Sequence, residues 1–335
     1  VIDEHAPEFA GKPVQEWSEE SGIASPEQYC YRIALDWDSG EDGQRWTDRF
    51  ASFLEDPNAA QVTGLIVGSW GYDDMMASSA DIVEALVAAR ERLPNLKALF
   101  IGDIISEECE ISWIVQSDVS PIFSAYPQLE YFRIRGANSL RFGGLQHARL
   151  KSLIVESGGL SGETLRDVMS AQLPALEHLE LWLGESGYGW SGELDDLAPL
   201  FAGALFPNLR YLGLRDSEIA DEIAAAIADA PILQRIRVLD LSLGTLTDVG
   251  GEALLYSPFL TRLEKLDLHR HYLSPQMIYR LTGVRSESIE MEPALPGLDA
   301  PSTPPPGTVI EIDVSDPQQE EEYKGEKYRY VAVGE

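Results

Sequence analysis

Apolar residues recur along this chain in the pattern L-x-x-L-x-L. The clear copies are Leu96/Leu99/Ile101, Leu129/Phe132/Ile134, Leu150/Leu153/Val155, Leu176/Leu179/Leu181, Leu209/Leu212/Leu214, Ile236/Leu239/Leu241 and Leu263/Leu266/Leu268. Two weaker copies, Cys30/Ile33/Leu35 and Val62/Leu65/Val67, precede them, and Ile289/Met291 form a partial tenth. First positions of successive copies lie 21 to 34 residues apart. The last two apolar positions of each copy are two apart, so in extended chain they face one side, and each copy predicts a short strand. The intervening segments change period. Ile82, Val83, Leu86 and Val87 share a helix face, as do Leu165, Val168 and Met169, and Leu194, Leu197, Leu200 and Phe201. Asp81 and Thr247 are the expected helix N-caps. In Leu93-Pro94-Asn95-Leu96, Leu173-Pro174-Ala175-Leu176 and Phe206-Pro207-Asn208-Leu209, a proline stops the helix just before the strand.

One strand and one helix cannot bury their apolar faces alone, but stacked units can. The expected fold is therefore an α/β solenoid, a horseshoe or arc with parallel strands on the concave face and helices on the convex face. The stretch Leu239-Asp240-Leu241-Ser242-Leu243-Gly244-Thr245-Leu246-Thr247-Asp248-Val249-Gly250-Gly251-Glu252-Ala253-Leu254 carries strand, turn and helix in order. It resembles the leucine-rich-repeat superfamily, within it the ribonuclease-inhibitor-like class, over roughly residues 30–291. That resemblance implies a fold and no activity. The class's inward Asn or Cys after the strand is replaced by Trp70, Ile104, Ala137, Gly158, Gly184, Ser217, Gly244 and His271. Backbone carbonyls that an Asn ladder would satisfy then need other donors. Glu8-Phe9-Ala10-Gly11-Lys12-Pro13-Val14 and Tyr330-Val331-Ala332-Val333 also resemble the two ends of an uncharacterised bacterial leucine-rich-repeat family. Its genes cluster with those of ATP-grasp and radical-SAM enzymes.

The ends depart from the repeat. Residues 1–61 read as an N-terminal segment with a degenerate capping repeat, in which Tyr29 to Trp37 alternates like a strand and Trp46, Phe50, Phe53 and Leu54 line a helix face. Residues 62–292 are the solenoid, and 293–307 a Pro-rich linker. Within 308–335, Thr308 to Val314 and Lys327 to Val333 alternate as the two arms of a long-looped hairpin or a tail.

Charge narrows the partners. Fifty-six acidic and 25 basic residues give a formal net of −31. Such a field repels phosphate backbones and anionic bilayers, so neither nucleic acid nor a membrane is the expected partner. No apolar run approaches the roughly 20 residues of a membrane span. Two cysteines, Cys30 and Cys109, make no disulfide framework, and Val1 to His5 has no basic segment followed by an apolar one. The expectation is a cytoplasmic chain without a signal peptide.

Catalytic motifs are missing: no phosphate-binding loop ending in Gly-Lys-Ser/Thr, no H-E-x-x-H, no C-x-x-C and no nucleophile elbow. No catalytic residue, cofactor or metal is assigned. Gly158-Gly159-Leu160-Ser161-Gly162 reads as a turn, and the pairs Asp73-Asp74 and Asp195-Asp196 as helix starts. Tyr188 and Trp190 lie on a Gly-rich loop that is either a contact point or packed on itself. Asp267, His269 and His271 alternate as metal ligands could, but the register turns His271 inward and His269 outward. The outward strand positions form three columns in which Tyr131, Arg133, Arg135, His178, Trp182, Tyr211 and Arg215 gather. Aromatics and arginine are the usual anchors of interfaces. The leading expectation is a protein-interaction module or scaffold, with a protein partner bound across these residues and serving enzymes encoded nearby. The alternative is an enzyme or small-ligand protein with a site around Arg135, His178 and Arg215.

Overall fold

In a computed structural model, residues 2–35, 43–71, 77–283 and 310–334 are described. Trp37, the Asp73-Asp74 pair, Ile289/Met291, the Pro-rich stretch 293–307 and Thr308 lie outside them. Twelve strands join one sheet in strict chain order. They are β1 (Glu8–Phe9), β2 (Lys12–Glu16), β3 (Cys30–Ile33), β4 (Gly64–Val67), β5 (Ala98–Ile101) and β6 (Tyr131–Arg135), followed by β7 (Ser152–Glu156), β8 (His178–Gly184), β9 (Tyr211–Ser217), β10 (Val238–Asp240), β11 (Lys265–Asp267) and β12 (Glu311–Asp313). Among the described residues of this sheet, β1 and β2 pair antiparallel and every later neighbour pair is parallel.

Eight helices lie between strands among the described residues: α1 (Trp46–Glu55), α2 (Ala80–Ala88), α3 (Ser120–Ala125), α4 (Gly162–Met169), α5 (Ala198–Phe201), α6 (Ala220–Ala228), α7 (Asp248–Leu255) and α8 (Pro275–Thr282). Thr247 caps α7 as expected, accepting from the Val249 amide at 3.2 Å. Asp81 sits in the first turn of α2, where Ser79 holds the cap position. Neighbouring units are also stitched together, since Asp221 of α6 accepts from the amides of Thr247 and Gly250 at 2.8 and 3.0 Å.

The middle apolar position of each copy forms one buried row. Leu65, Leu99, Phe132, Leu153, Leu179, Leu212, Leu239 and Leu266 stand side by side in the ladder and are at most 1% exposed. Each such side chain stabilises by about 1.5–3 kcal/mol on leaving water. The row and the helices' apolar faces belong to one continuous core. The first copy enters it out of phase. Ile33 was expected opposite Leu65, yet Tyr31 pairs with Leu65 and Ile33 with Val67. A two-residue slip keeps each side chain on its own face, so the apolar pattern alone does not forbid it.

The opposite sheet face is covered at its start. There Phe9 joins Cys30, Ile66, Ala98 and Phe100 in a second apolar cluster, with the Phe9 and Phe100 rings 5.8 Å apart. This explains why β3, β4 and β5 are buried at every position rather than alternating.

The end of the chain differs from the expected hairpin. The first arm does not pair with the second. Glu311–Asp313 adds to β11 as a parallel strand, with Ile312 opposite Leu266. The sheet edge offers unpaired groups that a nearby extended segment satisfies. A separate, smaller hairpin joins β13 (Glu321–Tyr323) to β14 (Glu326–Tyr328).

Candidate functional site: the open sheet face

The ladder sets out the columns read from the sequence. Tyr131, Ser152, His178, Tyr211, Val238 and Lys265 are consecutive neighbours, as are Phe100, Arg133, Ile154, Glu180, Gly213, Asp240 and Asp267. Arg135 pairs with Glu156, and Trp182 with Arg215. All seven candidate residues therefore lie on one face. They differ sharply in accessibility. Tyr131, Arg133, His178, Tyr211 and Arg215 are half-buried. Arg135 and Trp182 are 3% and 8% exposed, so neither presents itself to a partner as expected. Strand register fixes which face a residue occupies, but not what the chain ends lay over it.

Arg135 is consumed by an ion-pair chain that begins at the first strands. Arg32 donates from Nε to Asp103 at 3.0 Å and from Nη1 to Glu16 at 2.9 Å. Asp103, fully buried, also accepts from the Ala6 amide at 3.2 Å and lies 3.8 Å from Arg135. Arg135 donates to Glu156 at 2.7 Å and to the Ile104 carbonyl at 2.8 Å. Arg133 donates to the other Glu156 oxygen at 2.8 Å and lies over the Phe100 ring at 4.4 Å. Burial pushes the Glu156 carboxyl up, and the two guanidiniums more than offset it, leaving it below the usual carboxylate range. Sequence reading missed Arg32, Glu16 and Asp103. Arg32 stands in the second column beside Ile66 and Phe100, on a strand that the columns read from the sequence did not include.

Glu180 organises the other half. It accepts from Arg215 Nη1 at 2.7 Å and from Trp182 Nε1 at 2.7 Å, and it lies 3.5 Å from His178. Burial raises its pKa, but His178, Arg215 and Trp182 outweigh that and hold it at about 2. The Tyr211 hydroxyl donates to Asp240 at 2.6 Å, and burial beside Glu180 and Asp240 raises its pKa well above the ordinary range. His178 stacks on Tyr211 with centroids 3.9 Å apart and planes 9° off parallel. Glycine at 213 leaves room for this fold-over, since a Cβ there would stand 3.1 Å from Glu180 Cγ and 3.2 Å from Tyr211 Cε1.

Trp182 is covered from the strand ends. Val333 packs with Trp182, Ile111 and Leu243, with Ile2 and Ala332 alongside. Arg215 lies over the indole at 5.2 Å. Between this cover and the one at Phe9, the face presents Tyr131, Arg133, His178 and Tyr211.

The metal-like spacing resolves as the register predicted for His271. His271 turns inward, donating from Nε2 to the Val314 carbonyl at 3.1 Å while Nδ1 accepts from the Leu273 amide at 2.9 Å. It thereby supplies a donor where the repeat class has Asn. Asp313 of β12 instead joins Asp267 and His269, with one ligand atom from each within 4.8 Å of the others. Lys265 Nζ lies 2.9 Å from Asp267 and 3.7 Å from Asp313, already providing positive charge to that group. Trp190 is buried in the core, and Ser161 within the Gly158–Gly162 turn caps α4 by accepting from the Thr164 amide at 3.1 Å. A small cavity of about 20 Å³ beside Trp70 and Cys109, and a groove of about 410 Å³ between α2 and α3, both lie away from Arg135, His178 and Arg215. No helix among the described residues is long and apolar enough to cross a membrane.

These features define an α/β protein built on a sequentially ordered, mostly parallel sheet with an ion-paired open face. Searches with family models and against curated proteins found no match. Among solved structures, a Bacteroides fragilis protein is similar, with 31% identity and a TM-score of 0.75 over 90% of this chain and 76% of that one. The chain belongs to the same family as that B. fragilis protein.

Proposed function

We propose that the protein is a leucine-rich-repeat solenoid of the ribonuclease-inhibitor-like class, acting in the cytoplasm as a protein-interaction module. Its contact surface is the strip Tyr131, Arg133, His178 and Tyr211 on the concave sheet, and Arg215 supports the strip from beneath through Glu180. The observation that carries this reading is the preorganised centre of the strip, the His178–Tyr211 stack held over the Glu180–Arg215–Asp240 network. Side chains fixed in this way lose little freedom on binding, which is what interface anchors require. The strip's half-buried aromatic and arginine side chains are the residue types that anchor macromolecular interfaces, which supports a macromolecular partner over the enzyme reading.

Site-specific photocrosslinking tests it. A benzophenone amino acid is placed at Tyr131 or Tyr211 and, as a control, at Glu84 of α2 or Glu222 of α6. In host lysate a discrete protein adduct is expected from the two sheet positions, lost when Arg133→Glu is added. Equal capture from the helical positions, or an adduct indifferent to Arg133→Glu, rejects the proposal.

A further inference from the structure

After Gln318 the chain leaves the body of the protein. The Gln318 amide donates to the His271 carbonyl at 2.7 Å and its side chain to the Arg270 carbonyl at 2.8 Å. Residues 319 to 330 are then exposed without exception. Within that stretch β13 and β14 form a sheet of their own, turned at Lys324 and Gly325 with φ of +54° and +84°. A lone two-stranded ribbon of this kind is marginal in water. The chain next returns and buries Val331 and Val333 to 6% and 4% exposure.

The place it returns to is shaped for an extended backbone. The Ala332 amide donates to the Leu243 carbonyl at 2.7 Å and the Val333 amide to Asp216 Oδ1 at 2.9 Å. The Tyr272 hydroxyl donates to the Tyr330 carbonyl and accepts from its amide, both at 3.0 Å. Ile111, Trp182 and Leu243 enclose the Val333 side chain. Asp216 is fully buried in the left-handed region at φ +51°, a strained conformation for a residue with a side chain, and its Oδ2 has no hydrogen-bond partner. Burial pushes its carboxyl well above the usual range, against the opposing pull of the Val333 amide and Arg215. Main-chain hydrogen bonds combined with seats for alternate side chains are the usual means of recognising an extended peptide.

We infer that this groove at the ends of β8, β9 and β10 is a peptide-binding site, occupied here in cis by Val331–Gly334, and that its ligand is an extended partner segment with β-branched apolar residues two positions apart. The inference goes beyond the proposed function, because the groove is not part of the open strip and stands even if the strip binds nothing. The exposed ribbon is the tether that lets the resident segment leave. A tethered segment competes at an effective concentration on the order of millimolar, so a free peptide is excluded, while a partner already gripping the protein elsewhere is not.

The test uses the full chain and a fluorescein-labelled peptide with the sequence of residues 329–335. Wild type is expected to show no binding up to about 100 µM, below the millimolar competition from its own segment. The Val331→Asp/Val333→Asp double variant should keep a cooperative melt and bind the probe saturably. Adding Asp216→Ala should weaken that binding at least tenfold, and a probe carrying both aspartates should not bind. In wild type, the amides of Ala332 and Val333 should exchange hydrogen far faster than those of Leu212 and Leu214. A folded double variant that ignores the probe, a double variant that loses its cooperative melt, or Ala332 and Val333 protected as well as the sheet would each overturn the inference. So would equal binding by wild type and the double variant, which would place the probe elsewhere.

Discussion

Replacing Glu156 by Gln isolates the energetic centre of the open face. The carboxylate is 1% exposed and faces two guanidiniums, with Arg135 at 2.7 Å and Arg133 at 2.8 Å. Gln keeps the volume and one acceptor but removes the negative charge, leaving two cations beside each other. Breaking a buried pair from one side costs about 3–5 kcal/mol, because the orphaned charge cannot rehydrate. Two features put this case near the lower bound. The Arg133 side chain is 22% exposed and can turn to water, and Arg135 keeps the Ile104 carbonyl at 2.8 Å and Asp103 at 3.8 Å. A loss of about 3 kcal/mol is therefore expected in urea denaturation followed by circular dichroism. A chain of this size can unfold in parts, so hydrogen exchange of the β6 and β7 amides should accompany the urea curve and show the loss concentrated there. Combining Glu156→Gln with Arg135→Met should recover part of it, since the second change removes the orphaned cation. A loss under about 1 kcal/mol, the scale of a solvated surface pair, would refute the argument that these charges are desolvated.

Leu212 and Glu180 give two further outcomes. Leu212→Ala, at a site with no exposure and strands on both sides, should destabilise by about 2–5 kcal/mol in the same urea assay; a change below about 1 kcal/mol would mean that the row of middle leucines is not a packed core. Glu180 has its pKa depressed from 4.5 to about 2, so its contribution to stability is complete above pH 4.5 and is lost as the pH falls toward 2. Glu180→Gln should flatten that part of the acid limb in a stability-against-pH series, and an unchanged limb would show that Glu180 titrates alike in folded and unfolded chains.

What was legible in the sequence was whatever a period can encode. A side chain that must be buried every second residue in strands, and every third or fourth in helices, leaves a trace, and the middle row from Leu99 to Leu266 was placed correctly by it. Facing was equally legible, because the three outward columns follow from parity alone. The first strand shows where parity ends. Shifting β3 by two residues preserves every facing, so nothing in its own pattern separates Ile33 from Tyr31 as the partner of Leu65. Accessibility was not legible at all. It depends on residues far away in sequence, with Phe9 over Phe100 and Val333 against Trp182, and neither short segment carries enough periodic residues to announce where it docks. The edge strand Glu311–Asp313 was read as alternating but given the wrong neighbour, because alternation says that a segment pairs and not with what.

That difference between facing and accessibility changes how the candidate residues must be separated by mutation. Trp182 and Arg215 share a column, but the indole belongs to an apolar cluster with Val333, and Arg215 neutralises the buried Glu180. Truncating either removes packing or strands a buried charge, so a loss of binding in such variants would be confounded by a loss of structure. Tyr131 and Arg133 are the cleaner probes. Tyr131 is half-buried at the rim of the Phe9 cluster, and Arg133 leaves Glu156 still paired with Arg135 when it is removed. His178→Ala has the same merit, because Glu180 retains Arg215 and Trp182. A binding defect in Arg133 or His178 variants with an intact fold would locate function in the open strip, whereas a defect confined to an Asp216 variant with an intact fold would locate it in the groove that Val333 fills.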